Sequence, residues 1–306
     1  MSNTAAPTGF QVTLRASADE AVITEVGATL RRFSSGGRDV IVPFGEHELP
    51  PASNGAVLVP WPNRLRDGQY TFEGVDRQLP LTEPQRGTAL HGLVAWERWH
   101  ITAQDDASAT LALDTVPLPG YPFPLEVAIT YALDGEGGLA ISLTTRNVGS
   151  SAAPYGVGFH PWLSPGTGSL DDAVLQLGAD SWIPTDDRLL PTGVEPLPER
   201  FDFREPRRLG DTALDDAFVD ATREADGLSW LRLRGTDGRT AAVWMDGSLS
   251  CWQMCTGDHV AAEAARRTGL AAEPMTCIAD AFRTGDDLIT LQPGEAHTVR
   301  WGLRLS

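Results

Sequence analysis

The sequence predicts an all-β fold, a large antiparallel β-sandwich with few short helices. Three observations support this prediction. Short runs of alternating apolar and polar residues recur along the chain, helical signal is scarce, and the 31 glycines and 22 prolines are spread over its whole length. Many short strands separated by turn residues are typical of sandwiches, whereas a doubly wound α/β fold needs long helices between its strands.

The clearest element is a β-hairpin at residues 125–145, where apolar residues alternate on both sides of a glycine-rich turn. Similar alternation predicts strands at residues 20–25, 108–114, 229–234, 240–245, 249–254 and 297–305. The alanine-rich stretch at residues 259–268 (HVAAEAARRT), which Gly269 ends, is the one credible helix. Segments 43–64 and 183–217 are predicted to be structured loops, where functional sites tend to lie.

The length and composition predict a single folded domain over residues 1–306. Apolar residues make up 42% of the chain and charged residues 21%, which is ordinary for a folded globular protein. No linker and no fixed-period repeat is evident, which argues against propellers and solenoids. All-β folds of this length often form one domain.

The charge of the chain restricts its partners. A formal net charge of −17 and a pI of about 4.7 repel phosphate backbones and anionic membranes, so we expect neither nucleic acid nor membrane as a partner. A neutral ligand such as a sugar fits better. The chain contains no lysine, which excludes lysine Schiff-base chemistry, lysine-bound pyridoxal phosphate and a Walker-type phosphate loop.

The compartment is predicted from the cysteines and the N-terminal segment. The three cysteines form no CxxC pair, so we expect them to be reduced and structural. The N-terminal segment has no basic region followed by an apolar core, and no stretch approaches about 18 uninterrupted apolar residues. We therefore expect a cytoplasmic protein. We also expect either a monomer or a homodimer.

Glu273 is a candidate general base. It lies in GLAAEPMT, an acidic residue in an apolar stretch, directly before a proline that favours extended backbone. Apolar surroundings raise the pKa of a carboxylate toward neutrality, which suits a base. The alternative is an exposed glutamate at a strand edge, and the sequence leaves both interpretations open.

Two histidines are candidates for proton transfer near neutral pH. His160 lies in PYGVGFHPWL, which is typical of the end of a buried strand, and His91 lies in TALHGL, where Gly92 permits close backbone approach. A histidine in an apolar run is more often a buried structural residue, so that role stays open for both.

A metal site is not expected. The histidines and Glu273 have the residue types of a facial metal triad, but the HxH and HExxH spacings of cupin-type and zincin sites are missing. Cys251 and Cys255 are four residues apart on a predicted strand, so they face the same side, and packing explains them better than metal binding.

Further polar and aromatic residues are candidates to hold a sugar. Asn63 and Arg64 follow a rigid PWP run that directs an amide and a guanidinium toward hydroxyl groups. Asp215 and Asp216 are candidates to accept hydroxyl hydrogen bonds, although a capped loop turn explains them equally well. Among nine tryptophans, Trp162 beside His160 is the best candidate to stack on a sugar ring.

Six blocks occur in order along the chain: residues 54–81 (NGAVLVPWPNRLRDGQYTFEGVDRQLPL), 89–93 (ALHGL), 156–163 (GVGFHPWL), 214–218 (LDDAF), 244–258 (WMDGSLSCWQMCTGD) and 270–282 (LAAEPMTCIADAF). Together they resemble the aldose 1-epimerase (galactose mutarotase) family over most of the chain. The resemblance implies a galactose mutarotase-like supersandwich with an open cleft, no cofactor and no metal. It also implies interconversion of the α and β anomers of a neutral aldose such as glucose or galactose.

The resemblance further implies roles for individual residues. It makes Glu273 the base and His160 the acid. The same resemblance implies that the hydroxyls and ring oxygen of the sugar are held by Asn63, Arg64, His91, Asp215 and Gln253. The choice of Asp215 over Asp216 rests on spacing to Phe218 alone.

The sequence also departs from the family and leaves rival functions. Trp162 stands where the family commonly has tyrosine, which bears on sugar preference. A mutarotase for hexose 6-phosphates would use an arginine cluster, for which Arg64, Arg66, Arg86 and Arg98 are available. A catalytically silent sugar-binding module is the rival from a different class. A polysaccharide lyase or glycosidase would usually need a long cleft and additional helices.

Overall fold

The computed structural model describes residues 6–260 and 266–306. Within these ranges the chain forms strands β1 (Gln11–Ala16), β2 (Asp19–Thr24), β3 (Leu30–Ser35), β4 (Arg38–Asp39), β5 (Val57–Leu58), β6 (Arg64–Arg66), β7 (Gln69–Phe72), β8 (Val75–Gln78), β9 (Thr88–Leu90), β10 (His100–Gln104), β11 (Ser108–Asp114), β12 (Leu125–Leu133), β13 (Gly138–Asn147), β14 (Ala153–Tyr155), β15 (Gly158–Phe159), β16 (Trp162–Leu163), β17 (Val174–Leu177), β18 (Ala179–Ile183), β19 (Glu195–Pro196), β20 (Arg207–Arg208), β21 (Asp215–Ala221), β22 (Ser229–Arg234), β23 (Thr240–Met245), β24 (Cys251–Cys255), β25 (Leu270–Met275), β26 (Ile289–Leu291) and β27 (Ala296–Leu305). Helical structure there is limited to α1 (Ala281–Thr284) and single 3-10 turns at Pro51–Ser53, Leu170–Asp172 and Glu199–Phe201.

Two large antiparallel sheets make up most of the fold. One has nine strands in the order β10-β11-β12-β13-β27-β23-β22-β17-β20. The other has eight, in the order β19-β18-β21-β24-β25-β15-β5, with β16 also paired to β25. Strands β1 to β4 form a smaller sheet, and β14-β26, β6-β9 and β7-β8 form two-stranded ribbons. The predicted all-β, antiparallel fold is therefore confirmed.

The alternating sequence runs correspond to strands. The hairpin at residues 125–145 is β12 and β13, which pair from Leu125 opposite Asn147 to Leu133 opposite Leu139. The other six runs are β2, β11, β22, β23, β24 and β27, with ends shifted by at most two residues. Segments 43–64 and 183–217 are largely irregular, with short strands inside them. In the predicted helix at 259–268, residues 261–265 lie outside the described residues, and the residues on either side form turns.

The two large sheets pack face to face around a hydrophobic core. Phe159 lies in β15 of the eight-stranded sheet and Trp301 lies in β27 of the nine-stranded sheet, and their ring centroids are 4.9 Å apart. The indole N–H of Trp252 in β24 donates to the hydroxyl of Ser229 in β22 across 3.1 Å. This inter-sheet packing buries alternate residues of each strand, as the period-two pattern of the sequence requires.

The opposite face of the eight-stranded sheet carries the polar residues that matter for function. In β24, Trp252 and Met254 face the core, so Cys251, Gln253 and Cys255 project from the other face. All five residues of β24 and all six of β25 are buried, because other segments cover this second face as well. A buried, partly polar surface therefore lies at the middle of the sheet.

The described ranges contain no helix that is long and apolar enough to cross a membrane. The three cysteines are free, as expected for reduced residues, and all three are buried.

Candidate active site

Glu273 lies on the central strand β25 and is directly opposite Gln253 of β24. Pro274 follows it, and the extended backbone that the proline favours is observed. The residue is only 2% exposed, so the buried interpretation of Glu273 is correct. Its Oε2 atom has no hydrogen-bond partner among the described residues, which leaves one carboxylate oxygen free to accept a proton.

His160 faces Glu273 across a short gap. The Nε2 atom of His160 is 3.4 Å from Oε1 of Glu273, although the two residues are 113 positions apart in the chain. The indole N–H of Trp162 donates to Nδ1 of His160 over 3.1 Å, and the two rings are stacked with centroids 6.0 Å apart. Because Nδ1 accepts this bond, a neutral His160 carries its proton on Nε2, where it points toward Glu273.

A strained loop holds His91 and Asn63 beside this pair. Both residues have left-handed backbone, with φ of 63° and 54°. They are tied together twice, since the backbone N–H of His91 donates to the carbonyl of Asn63 and the backbone N–H of Asn63 donates to Nδ1 of His91. A Cβ atom on Gly92 would lie 2.2 Å from the carbonyl oxygen of Val59, so glycine is required there. The rings of His91 and His160 meet edge to face at 5.3 Å.

Arg64 is fixed by a carboxylate that the sequence analysis missed. Its Nε and Nη2 atoms donate to the two oxygens of Glu83 over 2.8 and 3.0 Å. Both side chains are about nine-tenths buried. Thr88 donates a further hydrogen bond to Glu83. The sequence around Glu83, LTEPQRG, carries no signal of burial, so only the tertiary contact identifies it.

The structure separates Asp215 from Asp216. Asp215 points into the candidate site, where its Oδ1 accepts a hydrogen bond from the amide of Gln253 over 3.0 Å. Asp216 accepts the indole N–H of Trp182 over 2.8 Å on the other side of the strand. The two residues are neighbours in β21, so their side chains face opposite sides of the sheet.

The electrostatics of the site depend on burial. Burial raises the pKa of Glu273 well above the usual range, with a further increase from Asp215 and an opposing effect of Arg64. Burial lowers the pKa of His160 to about 4, assisted by the charge of Arg64. Burial likewise lowers the pKa of His91 and raises that of Asp215. Both imidazoles are therefore neutral at pH 7, and the pKa of Glu273 lies well above that of a surface glutamate.

These side chains line one cavity of about 160 Å³. Seven of the eight residues singled out from the sequence line it: Asn63, Arg64, His91, His160, Trp162, Asp215 and Glu273. Gln253 lies behind it and holds Asp215. The cavity is also lined by Glu83, Cys255 and His259, which the sequence analysis did not propose. For the last two, the spacing CTGDH after a predicted strand was an available signal.

Comparison with known proteins assigns the family. The family model described as "Aldose 1-epimerase" matches residues 11–304. The chain belongs to the aldose 1-epimerase family.

Relatives in this family are diverse. The chain is 34% identical over 292 residues to the Escherichia coli protein "Uncharacterized protein YihR", a match that covers 95% of this chain and 92% of that protein. It is 32% identical over 193 residues to mouse galactose mutarotase, covering 59% of this chain and 54% of the mouse protein. Family membership and these relatives indicate an isomerase-type enzyme.

Solved structures agree in fold. A putative aldose 1-epimerase from Escherichia coli K12 superposes with a TM-score of 0.82 at 21% identity, covering 97% of this chain and 99% of that one. Galactose 1-epimerase from Lactobacillus acidophilus also gives a TM-score of 0.82 at 21% identity, covering 97% and 94%. At such identities the likeness establishes the mutarotase-like sandwich alone.

Proposed function

We propose that this protein is an aldose 1-epimerase that interconverts the α and β anomers of a neutral aldose such as glucose or galactose. The observation that carries the proposal is the pairing of Glu273 and His160 across 3.4 Å in the cavity, with Oε2 of Glu273 unpartnered. Ring opening requires proton removal from the anomeric hydroxyl and proton delivery to the ring oxygen. Two buried titratable groups with pKa values shifted in opposite directions suit that pair of tasks.

In this mechanism the carboxylate of Glu273 takes the proton of the anomeric hydroxyl. The carbonyl bond then forms at the anomeric carbon while its bond to the ring oxygen breaks. The Nε2–H of His160 donates a hydrogen bond to the ring oxygen as negative charge develops there, and its proton moves to that oxygen. This transfer leaves His160 as an imidazolate beside the protonated Glu273 until ring closure returns both protons. Rotation about the bond to the next carbon exposes the other face of the aldehyde, and the reverse proton transfers close the ring as the other anomer.

His160 acts here as a neutral imidazole. Its low pKa and the hydrogen bond from Trp162 to Nδ1 both disfavour the imidazolium form. A neutral imidazole N–H is a weak acid, so its proton moves only once the ring oxygen has become strongly basic. Such a neutral histidine serves as the electrophile in other isomerases that act on sugars.

Arg64, His91, Asn63 and Asp215 are proposed to hold the sugar hydroxyls, with Gln253 orienting Asp215. The strained backbone at Asn63 and His91 supports this assignment, because such conformations persist where the surrounding structure fixes them and cluster at active sites. The ring of Trp162 forms part of the cavity wall and is proposed to contact the sugar.

The pairing of the arginines favours a neutral sugar over a hexose 6-phosphate. Each of the four arginines available for phosphate recognition is already paired with a carboxylate. The pairs are Arg64 with Glu83, Arg66 with Asp280, Arg86 with Glu83 and Arg98 with Glu25. A phosphate at any of them would have to share the guanidinium with a carboxylate that already neutralises its charge.

Three further features stay predictions from the sequence: a single domain, a cytoplasmic location and a monomeric or homodimeric state.

The experiment that tests the function is anomer exchange, followed by polarimetry or NMR, on glucose, galactose and glucose 6-phosphate. Exchange should be faster with a neutral aldose than with the phosphate. Glu273→Gln keeps the shape and hydrogen-bonding reach of the side chain but cannot take a proton, so sugar binding should survive while exchange falls by roughly 100-fold or more. His160→Asn should leave folding intact and slow exchange by a similar factor, roughly 100-fold or more.

Binding and rate must be measured on the same preparations. If Glu273→Gln retains more than about a tenth of wild-type exchange, Glu273 is not the base. Sugar binding without exchange in the wild-type protein would support the silent binding module instead. A loss of activity in His160→Asn that only matches a loss of folded protein would assign His160 a structural role.

A further inference from the structure

A second cluster of chemically active side chains lies in the same cavity, beside the proposed acid and base. Ligand atoms of Asp215, Cys255 and His259 lie within 4.8 Å of one another. Asp215 and Cys255 are directly opposite each other on β21 and β24, so their side chains share one face of the sheet. His259 follows Cys255 by four residues, and a turn brings it back over that face.

The turn that carries His259 is anchored. Gly257 has a left-handed φ of 72°, and its backbone N–H donates to Sγ of Cys255 over 3.3 Å. A Cβ atom at this position would lie 2.9 Å from the ring of Trp162, so only glycine fits. Asp258 is held by Arg267 over 2.9 Å and by the hydroxyl of Thr256. The imidazole is thus placed by a fixed turn.

The donor atoms of the cluster are available for a ligand. Oδ1 of Asp215 is occupied by Gln253, but Oδ2 is buried and accepts no hydrogen bond from the described residues. Nε2 of His259 lies 3.4 Å from this Oδ2 atom. The side chain of His259 is 51% exposed, which gives an ion a path from solvent to the two buried donors.

The donor set points to zinc. One imidazole nitrogen, one thiolate sulfur and one carboxylate oxygen form a mixed set that suits Zn²⁺ and does not suit Mg²⁺ or Ca²⁺. Zinc bonds of about 2.0–2.3 Å in tetrahedral geometry place ligand atoms roughly 3.4–3.7 Å apart. Since the three atoms lie within 4.8 Å of one another, each pair needs to approach by about 1.4 Å at most.

We propose that Asp215, Cys255 and His259 form a Zn²⁺ site with water in the fourth position, and that zinc bound there competes with the sugar. On binding, the Cys255 thiol releases its proton to solvent as the zinc–sulfur bond forms. Asp215 lies in both sites, so the ion removes a carboxylate that the sugar needs. The competition rests on the proposed function, whereas the metal site itself does not. Zinc takes no part in anomer exchange and acts as an inhibitor.

Calorimetric titration of ZnCl₂ into the metal-stripped full-length protein tests the site directly. Binding of one equivalent tighter than about 10 μM is expected. His259→Ala and Cys255→Ser should each weaken it by about 10-fold or more. His100→Ala, which removes an exposed histidine of β10, is the matched control and should bind zinc like the wild type. MgCl₂ should show no binding at this site. Titration with Co²⁺ should give the near-ultraviolet absorption of a cobalt–thiolate bond, which Cys255→Ser loses.

Repeating the zinc titration with a saturating aldose tests the competition, and zinc affinity should fall. Wild-type affinity in His259→Ala or Cys255→Ser overturns the site, as does the absence of tight zinc binding. Unchanged zinc affinity in the presence of a bound aldose overturns the overlap. A protein that binds zinc through these residues but exchanges no aldose would keep the site and refute the proposed function, so the two failures are distinguishable.

Discussion

Replacing Trp162 by phenylalanine removes one hydrogen bond from the candidate catalytic pair and keeps an aromatic ring in the cavity wall. In the wild type the indole N–H occupies Nδ1 of His160 and thereby confines the imidazole proton to Nε2. Without that donor, the neutral ring distributes its proton over both nitrogens, while burial still opposes protonation of both. Phenylalanine therefore changes the tautomer of His160 with little change of shape.

The size of the effect follows from that single bond. A hydrogen bond of this kind contributes about 0.5–1.5 kcal/mol. If the bond contributes about 1–1.4 kcal/mol to the preference for the Nε2–H form, its loss lowers the fraction of that form from about nine-tenths to about one half, so the exchange rate should fall about 2-fold. The buried Nδ1 atom also loses its partner, so the free energy of unfolding should fall by about 1–3 kcal/mol.

Two measurements separate this role from general destabilisation. Nitrogen NMR of the histidine ring should report the Nε2–H tautomer in the wild type and a mixture in Trp162→Phe. Trp99→Phe is the matched control, because Trp99 is buried and its indole N–H donates to the carbonyl of Val94 over 3.3 Å. It should lose stability and keep its exchange rate per folded molecule. Wild-type exchange in Trp162→Phe, or an unchanged tautomer, would refute the reasoning.

Three further predictions follow from the same geometry. The exchange rate should fall as the pH drops through the pKa of Glu273, because only its carboxylate form accepts a proton. Burial raises that pKa, the charge of Asp215 raises it further, and Arg64 opposes the increase. An inflection near 4.3, the value for free glutamate, would therefore contradict the assignment. Glu83→Ala leaves the buried guanidinium of Arg64 unpaired and should lower the free energy of unfolding by about 3–5 kcal/mol in urea denaturation, whereas Glu126→Ala, which breaks an exposed 3.9 Å pair with Arg146, should cost less than about 1 kcal/mol. Exhaustive chelation should not lower the exchange rate, since the proposed chemistry uses proton transfer alone and zinc bound at Asp215 would only inhibit; a loss of activity that added zinc restores would overturn it.

The site shows how far local patterns reach. The proline after Glu273 correctly predicted extended backbone, because that signal acts on the adjacent residue. The apolar stretch around Glu273 left a buried and an exposed position open, and the structure shows the buried one. The same reasoning could not choose between Asp215 and Asp216, since the two acidic residues are adjacent and are followed by the same apolar residues of one strand. The choice follows from which face of β21 meets the cavity, and that face is fixed by pairing with β24.

Other parts of the site carry no local signal. Glu83 looks like an exposed loop residue in the sequence, yet it is 7% exposed and holds Arg64. The hydrogen bond from Trp162 to His160 is local in sequence, but its direction depends on side-chain orientations that packing decides. Gln253 was assigned to the sugar by resemblance; in the structure its amide holds Asp215, and direct sugar contact stays a prediction.

The sequence by itself determined the strands and the all-β class, because alternation with a period of two is a property of short segments. The absence of lysine from the sequence also excluded lysine-based catalysis. The tertiary structure decided which distant residues meet. It brought Glu273 to 3.4 Å from His160 and placed His259 over Asp215. Strand register and loop docking are set by long-range packing, and a shift of one residue in β25 or β21 would turn Glu273 or Asp215 to the other face of the sheet.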